Sequence, residues 1–249
     1  MTAMTSSLHT AEIQAALSSG VPLFESLSNE GFEQAITLAR HERYTKGATL
    51  FRQGDAAESF HLILAGRLKV SQITPEGQQV IIRYLGPRDI AGCVAVCGGI
   101  PYPATAELVE DSWMLTWSRS RIAELAERYP ELALNAMRIM GGRSIELQER
   151  LKELHASRVE RRIANALGRL VLQAGRRTPD GIEIDFRLSR QDLAEMTGTT
   201  LHTVSRTLSA WEANGIVVSG RQKVTILKPH DLIAIGQDLP DDSGRDAGA

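Results

Sequence analysis

The chain has 249 residues, of which 43% are hydrophobic and 23% are charged, and its formal net charge is −2. This length is enough for two ordinary domains with separate cores, and no run of about 18 apolar residues predicts a membrane span. Because the first 20 residues lack the basic patch and apolar core of a secretory signal, we expect a cytoplasmic protein without a membrane partner.

The first half of the chain is predicted to be rich in β-strands. From about Gly47 to Trp117, apolar and β-branched residues alternate between turn signals such as TPEG at Thr74–Gly77, which is typical of a β-barrel or roll. We therefore predict a loose arm at residues 1–21 and a β-roll sensor domain at residues 22–120. One strand should place Phe60, Leu62 and Leu64 on one face and His61, Ile63 and Ala65 on the other.

A long helix is predicted to follow at residues 121–157. Its apolar residues are spaced three and four apart, as in a coiled-coil seam. The seam consists of Met137, Met140, Ser144, Leu147, Leu151 and Leu154. We expect it to form the interface of a parallel homodimer, although so narrow a stripe could instead pack on the β-roll. Gly141 and Gly142 lower helix propensity by about 1 kcal/mol each, which close helix approach or a hinge would explain.

The rest of the chain is predicted to be a winged helix-turn-helix domain at residues 158–235 and a flexible tail at residues 236–249. The elements read as helix, strand, helix, helix and hairpin. RRTPDG is predicted to be a loop, IEIDFRLS a strand, and IVVSGRQKVTIL a hairpin with a Ser-Gly turn.

Two local patterns predict the helix-turn-helix itself. Ser189 with Asp192 resembles a capping box at the start of the first helix. Ala194, Gly198 and Val204 supply the small residue, the turn with positive φ and the apolar anchor that the motif needs.

The second helix of the motif is predicted to have two faces. The positions spaced to face the core are Leu201, Val204, Leu208 and Trp211. The polar face consists of His202, Ser205, Arg206 and Ser209. Small side chains around one arginine allow close approach to the DNA major groove, where an arginine can bind guanine O6 and N7. We predict that this face, with Thr203, reads double-stranded DNA; an ordinary surface helix is the alternative.

Neighbouring residues are expected to hold the DNA backbone. Hydroxyl and amide groups of Thr199 and Thr200, at the N-terminus of that helix, suit a phosphate. Arg190, at the start of the preceding helix, and Arg221, in the wing, are further predicted phosphate contacts. Residues 156–232 contain twelve Lys and Arg against eight Asp and Glu, which is consistent with a polyanionic partner.

This arrangement resembles the CRP/FNR superfamily of bacterial transcription regulators over residues 22–232. The resemblance is carried by GATLFRQGDAAESFHLILAGRLKV, GPRDIAG, YPATAEL and LSRQDLAEMTGTTLHTVSRTL. It implies an α+β fold with a cyclic-nucleotide-binding-like β-roll, a long dimerisation helix and a C-terminal winged helix. It also implies a homodimer on a palindromic operator, with recognition helices about one DNA turn apart and RNA polymerase as a further partner. An enzyme is not expected, since the sequence has no nucleophile elbow, phosphate-binding loop or metal-ligand cluster.

The departures from the superfamily pattern argue against two effectors. Cyclic-AMP-binding members carry a Glu and an Arg where this chain has Cys93 and Pro103, and a buried phosphate without a cation or donors is strongly disfavoured. The iron–sulfur cluster of oxygen-sensing members is not expected either, because no cysteine precedes Cys93. We expect an effector pocket that includes His61, Cys93, Cys97 and Pro103.

Haem is the cofactor that the resemblance suggests for this pocket. The H-x-x-S-R pattern at His202–Arg206 resembles that of a nitric-oxide-responsive branch of the superfamily. His61 is the first candidate iron ligand, followed by His41, the two cysteines and His9; a lone histidine on a half-buried strand is alternatively structural. A redox response of the two cysteines, an unidentified small molecule and the absence of any effector are the other hypotheses.

Overall fold

The chain folds as two units that divide within its longest helix. The computed structural model describes residues 20–237, except the side chains of Val94, Ala95, Cys97 and Ala156. The division falls between Leu147 and Gln148, ten residues before the second domain was predicted to begin. No helix in the described part combines the length and the apolar character that crossing a bilayer requires.

The first unit is built on two four-stranded antiparallel sheets. A 3-10 turn (Pro22–Phe24) and helix α1 (Asn29–Leu38) precede them. The strands are β1 (Arg40–Tyr44), β2 (Thr49–Phe51), β3 (Ser59–Ala65), β4 (Leu68–Ile73), β5 (Gln79–Leu85), β6 (Ile90–Ala91), β7 (Thr105–Leu108) and β8 (Ser112–Ser118). One sheet has the order β1-β8-β3-β6 and the other β2-β7-β4-β5, and helix α2 (Cys93–Gly98) follows β6.

The predicted faces of strand β3 are confirmed, and both of them are buried. Phe60, Leu62 and Leu64 belong to one apolar cluster with Trp117, whereas Ile63 packs in a second cluster. The predicted TPEG hairpin joins β4 to β5, and its Gly77 has a φ of +81°. The alternation of residues in the sequence therefore predicted the two faces of β3 correctly.

The predicted helix at residues 121–157 is two helices rather than one. Helix α3 (Arg119–Arg128) ends at Tyr129, and helix α4 (Pro130–Ala156) begins at the proline. Proline lacks an N–H group and disfavours helical geometry in the residue before it, so the break falls there. Helix α4 continues through Gly141 and Gly142 without interruption.

The second unit contains the helix-turn-helix and a small antiparallel sheet. After the end of α4 come α5 (Val159–Ala174), β9 (Gly175–Thr178), β10 (Gly181–Ile184), α6 (Arg190–Thr197), α7 (Leu201–Ala213), β11 (Val217–Gly220), β12 (Lys223–Ile226) and α8 (Pro229–Gln237). The sheet order is β11-β12-β10-β9. The predicted fold class is confirmed: an α+β chain with a β-rich N-terminal domain, a long helix and a C-terminal helix-turn-helix with a wing.

Two local predictions in this unit are wrong, and one helix was missed. The RRTPDG loop is mostly strand β9, which pairs with β10 as a hairpin. The wing hairpin turns at Arg221–Gln222, because Ser219 and Gly220 belong to strand β11. Helix α8 was not predicted; the Arg161 side chain donates to its Gly236 carbonyl at 2.8 Å.

The predicted arm and tail lie almost wholly outside the described residues. Of residues 1–21 the structure describes Gly20 and Val21, and Val21 is buried. Of residues 236–249 it describes Gly236 and Gln237, which complete helix α8.

Candidate functional site

Helices α6 and α7 are joined by the tight turn that the sequence predicted. The Ser189 hydroxyl accepts from the Asp192 amide at 3.0 Å and the Asp192 carboxylate accepts from the Ser189 amide at 2.9 Å, which completes the capping box. Gly198 ends α6 with a φ of +60°, a conformation that residues with a Cβ disfavour. Thr200 caps α7 by accepting from the Thr203 amide at 3.2 Å.

The buried face of α7 begins one turn later than its spacing predicted. Val204, Leu208 and Trp211 are buried as expected, and Thr207 joins them. Leu201 was predicted to face the core but is 47% exposed. The helical spacing puts Leu201 on the same side of the helix axis as the buried residues, but the first turn of α7 is not covered by other parts of the fold.

The polar face of α7 lies opposite this anchor and is open. His202, Arg206 and Ser209 are exposed and Ser205 is half-buried. Among the described residues, neither the His202 nor the Arg206 side chain has a hydrogen-bonding or ionic partner. An exposed arginine without an internal partner is available to an external acceptor, as base readout requires.

The residues predicted to contact the DNA backbone differ in their exposure and in their internal hydrogen bonds. Arg221 is exposed in the wing turn, and Thr199 is half-buried beside the exposed Thr200. The hydroxyls of Thr200 and Thr203 lie 3.0 Å apart and bond to each other. Arg190 is half-buried, and its guanidinium donates to the Ser219 hydroxyl at 2.8 Å. Its predicted phosphate contact would therefore compete with an internal bond.

A cavity of about 390 Å³ lies in the first unit, lined by strands of the roll and by α4. Its walls are mainly apolar and include Phe51, Val70, Leu85, Ile90, Tyr102 and Ala104. The Phe51 and Tyr102 rings stack with centroids 3.9 Å apart. The Tyr102 hydroxyl donates to the Ser59 carbonyl at 2.8 Å, which fixes this aromatic wall.

Two arginines reach the cavity, and sequence reasoning missed both. Arg83 of β5 donates to Glu146 at 2.9 Å. Arg143 of α4 donates to the Ile90 carbonyl at 2.8 Å and lies 3.7 Å from the Asp89 carboxylate. Burial lowers the pKa of Arg143, and the nearby Arg83 charge lowers it further. The cavity therefore contains two cationic side chains. They lie at positions other than the two that the cyclic-AMP-binding pattern specifies.

The structure brings together only part of the predicted effector pocket. Cys93 and Pro103 both line the cavity, and Cys93 is buried. The side chain of Cys97 lies outside the described residues. His61 does not line the cavity; its ring stacks on Phe51, which does, with centroids 6.2 Å apart.

His61 belongs to a polar network inside the sheet. It is 3% exposed and its Nδ1 lies 3.0 Å from the Thr116 hydroxyl. Burial lowers the pKa of His61 to about 4, against the opposing effect of Glu42. Burial alone would raise the pKa of Glu42, but hydrogen bonds with Tyr44 and Thr116 lower it overall. A packed, hydrogen-bonded histidine outside the cavity does not fit the role of an iron ligand for a haem bound there.

Other predicted ligands do not assemble into a metal site. His41 is exposed on β1, and His9 lies outside the described residues. Within residues 20–237, no group of three or more His, Cys, Asp and Glu side chains could hold a metal ion.

The predicted dimer seam is largely open on α4. Met137, Ser144, Leu147, Leu151 and Leu154 are exposed. Met140 is half-buried and packs against the apolar cluster of the roll. Leu154 also lies near the turn of the helix-turn-helix: its Cδ2 is 3.2 Å from the point where a Cβ on Gly198 would stand.

Two family models match separate parts of this chain. Residues 41–129 match the model of the cyclic nucleotide-binding domain, and residues 161–235 match that of the Crp-like helix-turn-helix domain. These domains define a DNA-binding regulator with an effector-binding domain. This combination of domains is that of a DNA-binding transcription regulator of the CRP/FNR type.

Individual relatives support this assignment over most of the chain. The cyclic AMP receptor protein of Thermus thermophilus is 28% identical over 207 residues, 83% of this chain and 93% of that protein. The transcriptional activator protein anr of Pseudomonas aeruginosa is 28% identical over 211 residues, 84% of this chain and 86% of that protein. The structure of FixK2 from Bradyrhizobium japonicum matches with a TM-score of 0.69 at 21% identity, covering 79% of this chain and 96% of that chain.

Proposed function

We propose that this chain regulates transcription as a homodimer that reads a palindromic operator through α7. The observation that carries the proposal is the open polar face around Arg206, opposite the buried anchor of Val204, Leu208 and Trp211. An arginine among small side chains suits a bidentate contact to guanine, and two copies of α7 would read successive major grooves.

The test is sequence-specific binding by the full chain. An operator is first selected from random DNA, and its affinity is then measured by fluorescence anisotropy at fixed salt. Arg206→Ala should lose about 1–3 kcal/mol per half-site and relax the preference at one base. Arg177→Ala, which removes an exposed arginine from strand β9 at the sheet edge opposite the wing, is the matched control. Equal losses in the two variants would contradict the readout role.

The proposed dimer rests on the apolar seam of α4. Exposed leucines and methionine along one helix are typical of a surface that a second helix covers. Leu151→Asp should shift the protein to monomer in sedimentation velocity. Ile145→Asp changes an equally large exposed residue outside the seam and should leave the dimer intact. The same result for both variants would argue against the seam.

The cavity beside α4 is the proposed effector site, and cyclic AMP is not the proposed effector. One candidate for the effector response is the binding of nitric oxide to a haem. The H-x-x-S-R pattern and the apolar walls of the cavity favour this candidate. Haem would supply an iron that binds diatomic gases, but His61 does not fit as its ligand. An absorption spectrum of protein prepared with haem supplied tests this candidate: a Soret band that shifts with nitric oxide supports it, and a colourless protein contradicts it.

The proposal also includes RNA polymerase as the partner of the DNA-bound dimer in the cytoplasm. The match to the Crp-like helix-turn-helix domain and the similarity to a transcriptional activator support this. Transcription reconstituted from the selected operator should rise or fall on addition of the chain, and Arg206→Ala should remove the response.

A further inference from the structure

We propose that the effector is a small organic anion whose charged group binds Arg83 and Arg143 and replaces the carboxylate of Glu146. This inference rests on the proposed function of the cavity as the effector site. It is carried by two arginine side chains in one mainly apolar cavity.

The lining of the cavity favours an anion with an apolar body. The described residues that line it include Arg83 and Arg143 but neither Asp nor Glu. The lining also includes the stacked pair Phe51–Tyr102, which offers a flat apolar surface to a ring or a chain. Ligand sites commonly combine such apolar walls with a few convergent polar groups.

The two arginines lie on different elements and are largely removed from water. The Arg83 side chain, from β5, is 19% exposed, and that of Arg143, from α4, is 15% exposed. Burial is the main cause of the lowered pKa of Arg143, and the like charge of Arg83 lowers it further. One anionic group between them would relieve that repulsion and accept charge-assisted hydrogen bonds from both.

The carboxylates that now balance these charges are the more exposed partners. Glu146, which accepts from Arg83 at 2.9 Å, is 56% exposed, and Asp89, 3.7 Å from Arg143, is 43% exposed. Exposed ion pairs contribute little stability and exchange readily. A ligand carboxylate, sulfonate or phosphate inside the cavity would be better shielded and could take the place of Glu146.

This exchange would also connect binding to α4. The Arg83–Glu146 ion pair joins the roll to the helix that carries the dimer seam. An anion that takes Arg83 from Glu146 removes this link and replaces it with a bridge from Arg83 through the ligand to Arg143. A ligand can shift a conformational equilibrium only through such a difference in contacts.

The test uses two fluorescent probes that differ by one anionic group. 8-Anilinonaphthalene-1-sulfonate carries a sulfonate, and 1-anilinonaphthalene is its uncharged counterpart. With the full chain, Arg83→Gln and Arg143→Gln should each weaken binding of the sulfonate probe about tenfold or more, since a charge-assisted bond is lost. Binding of the neutral probe should change less than about twofold. Glu146→Gln should strengthen binding of the sulfonate probe.

Three controls separate the alternatives. Arg121→Gln removes an exposed arginine of α3 that pairs with Glu124, and it should change neither probe. The double variant Arg83→Gln, Glu146→Gln should still bind the sulfonate weakly; full recovery would attribute the loss to repulsion by Glu146 and overturn the proposal. Circular dichroism verifies the fold of each variant.

Other outcomes also overturn the proposal. Equal losses for both probes would indicate a damaged cavity rather than an anion site. A second apolar cavity, of about 610 Å³, has Arg119 in its lining, and loss of sulfonate binding only in Arg119→Gln would place the probe there. None of these measurements involves DNA. If the chain did not bind an operator but the probes responded as predicted, the proposed regulator function would be rejected and the anion site would be supported.

Discussion

The guanidinium of Arg190 donates a 2.8 Å hydrogen bond to the hydroxyl of Ser219, which connects the start of α6 to the wing strand β11. The Ser219 hydroxyl in turn donates to the Glu212 carboxylate of α7 at 2.5 Å, and the Ser219 amide donates to the same carboxylate at 2.7 Å. Three elements that are expected to approach DNA are therefore held together by one serine. Arg190 acts here as a positioning residue, whatever it contacts when DNA is bound.

Ser219→Ala should weaken DNA binding without changing which bases are preferred. The substitution removes the bonds of the hydroxyl to Arg190 and Glu212, so we expect a loss of about 1 kcal/mol in unfolding free energy, measured with urea, and a severalfold loss of operator affinity. Ser209→Ala is the control for stability alone, because Ser209 is exposed on the polar face of α7 and its loss should not lower the unfolding free energy. A changed base preference in Ser219→Ala would contradict the positioning role.

His202→Glu should change operator preference more than affinity. His202 is exposed on the face that also presents Arg206, and replacement of an imidazole by an acceptor-only carboxylate favours a base that donates, such as cytosine through its amino group. Repeating the operator selection with the variant measures this directly. An unchanged consensus with uniformly weaker binding would instead make His202 a contact to the DNA backbone.

The turn after α6 provides a test of the helix-turn-helix itself. Gly198 has a φ of +60°, and a Cβ there would stand 3.2 Å from Leu154. Gly198→Ala should therefore lower the unfolding free energy by about 1–2 kcal/mol. Gly198→Asn should cost less, because asparagine adopts this conformation more readily. If both variants were as stable as the unchanged protein in thermal unfolding, the assignment of a left-handed conformation to Gly198 would be wrong.

The elements that the sequence predicted well are those set by local rules. The alternation of β3, the capping box at Ser189 and the glycine turn at Gly198 each depend on a few neighbouring residues, and each is present. Strand β9 was missed because its sequence, GRRT, is polar and exposed and forms only by pairing with β10. Exposure of Leu201 was missed because helical spacing gives an angle but not the extent of the covering surface.

The same contrast between local features and features set by the tertiary fold holds for the candidate sites. The open polar face of α7 follows from one helical period, so its position was predicted from sequence, and its DNA-reading role stays a prediction. Arg83 and Arg143 are sixty residues apart in the chain, and both line one cavity only because β5 and α4 do. Neither lies in a motif that marks it. The assignment of His61 to the pocket failed for a related reason: its strand face is interior, but the cavity lies beyond Phe51.

Stability should fall below neutral pH because of His61. The pKa of His61 is lowered from 6.5 to about 4 in the folded chain, so the unfolded state binds the proton more readily. Its contribution is fully present above pH 6.5 and is lost as the pH falls toward 4, by up to about 3 kcal/mol. Urea unfolding between pH 7.5 and 4.5 measures this slope. His61→Gln does not titrate there, so parallel curves for the two proteins would contradict the assignment.

Cyclic AMP should bind this chain weakly, with no heat of binding in calorimetry at submillimolar concentrations. Cys93 and Pro103 line the cavity where superfamily members that bind this nucleotide carry Glu and Arg. Neither side chain can neutralise the phosphate or accept strongly from the ribose hydroxyl. The arginines of the cavity are already paired with Glu146 and Asp89, and they leave the ribose without the carboxylate that binds it in those members. The double variant Cys93→Glu, Pro103→Arg should gain affinity, because it restores both groups in the same cavity. Tight binding by the unchanged chain would contradict this prediction and would mean that Arg83 and Arg143 already hold the phosphate of the nucleotide.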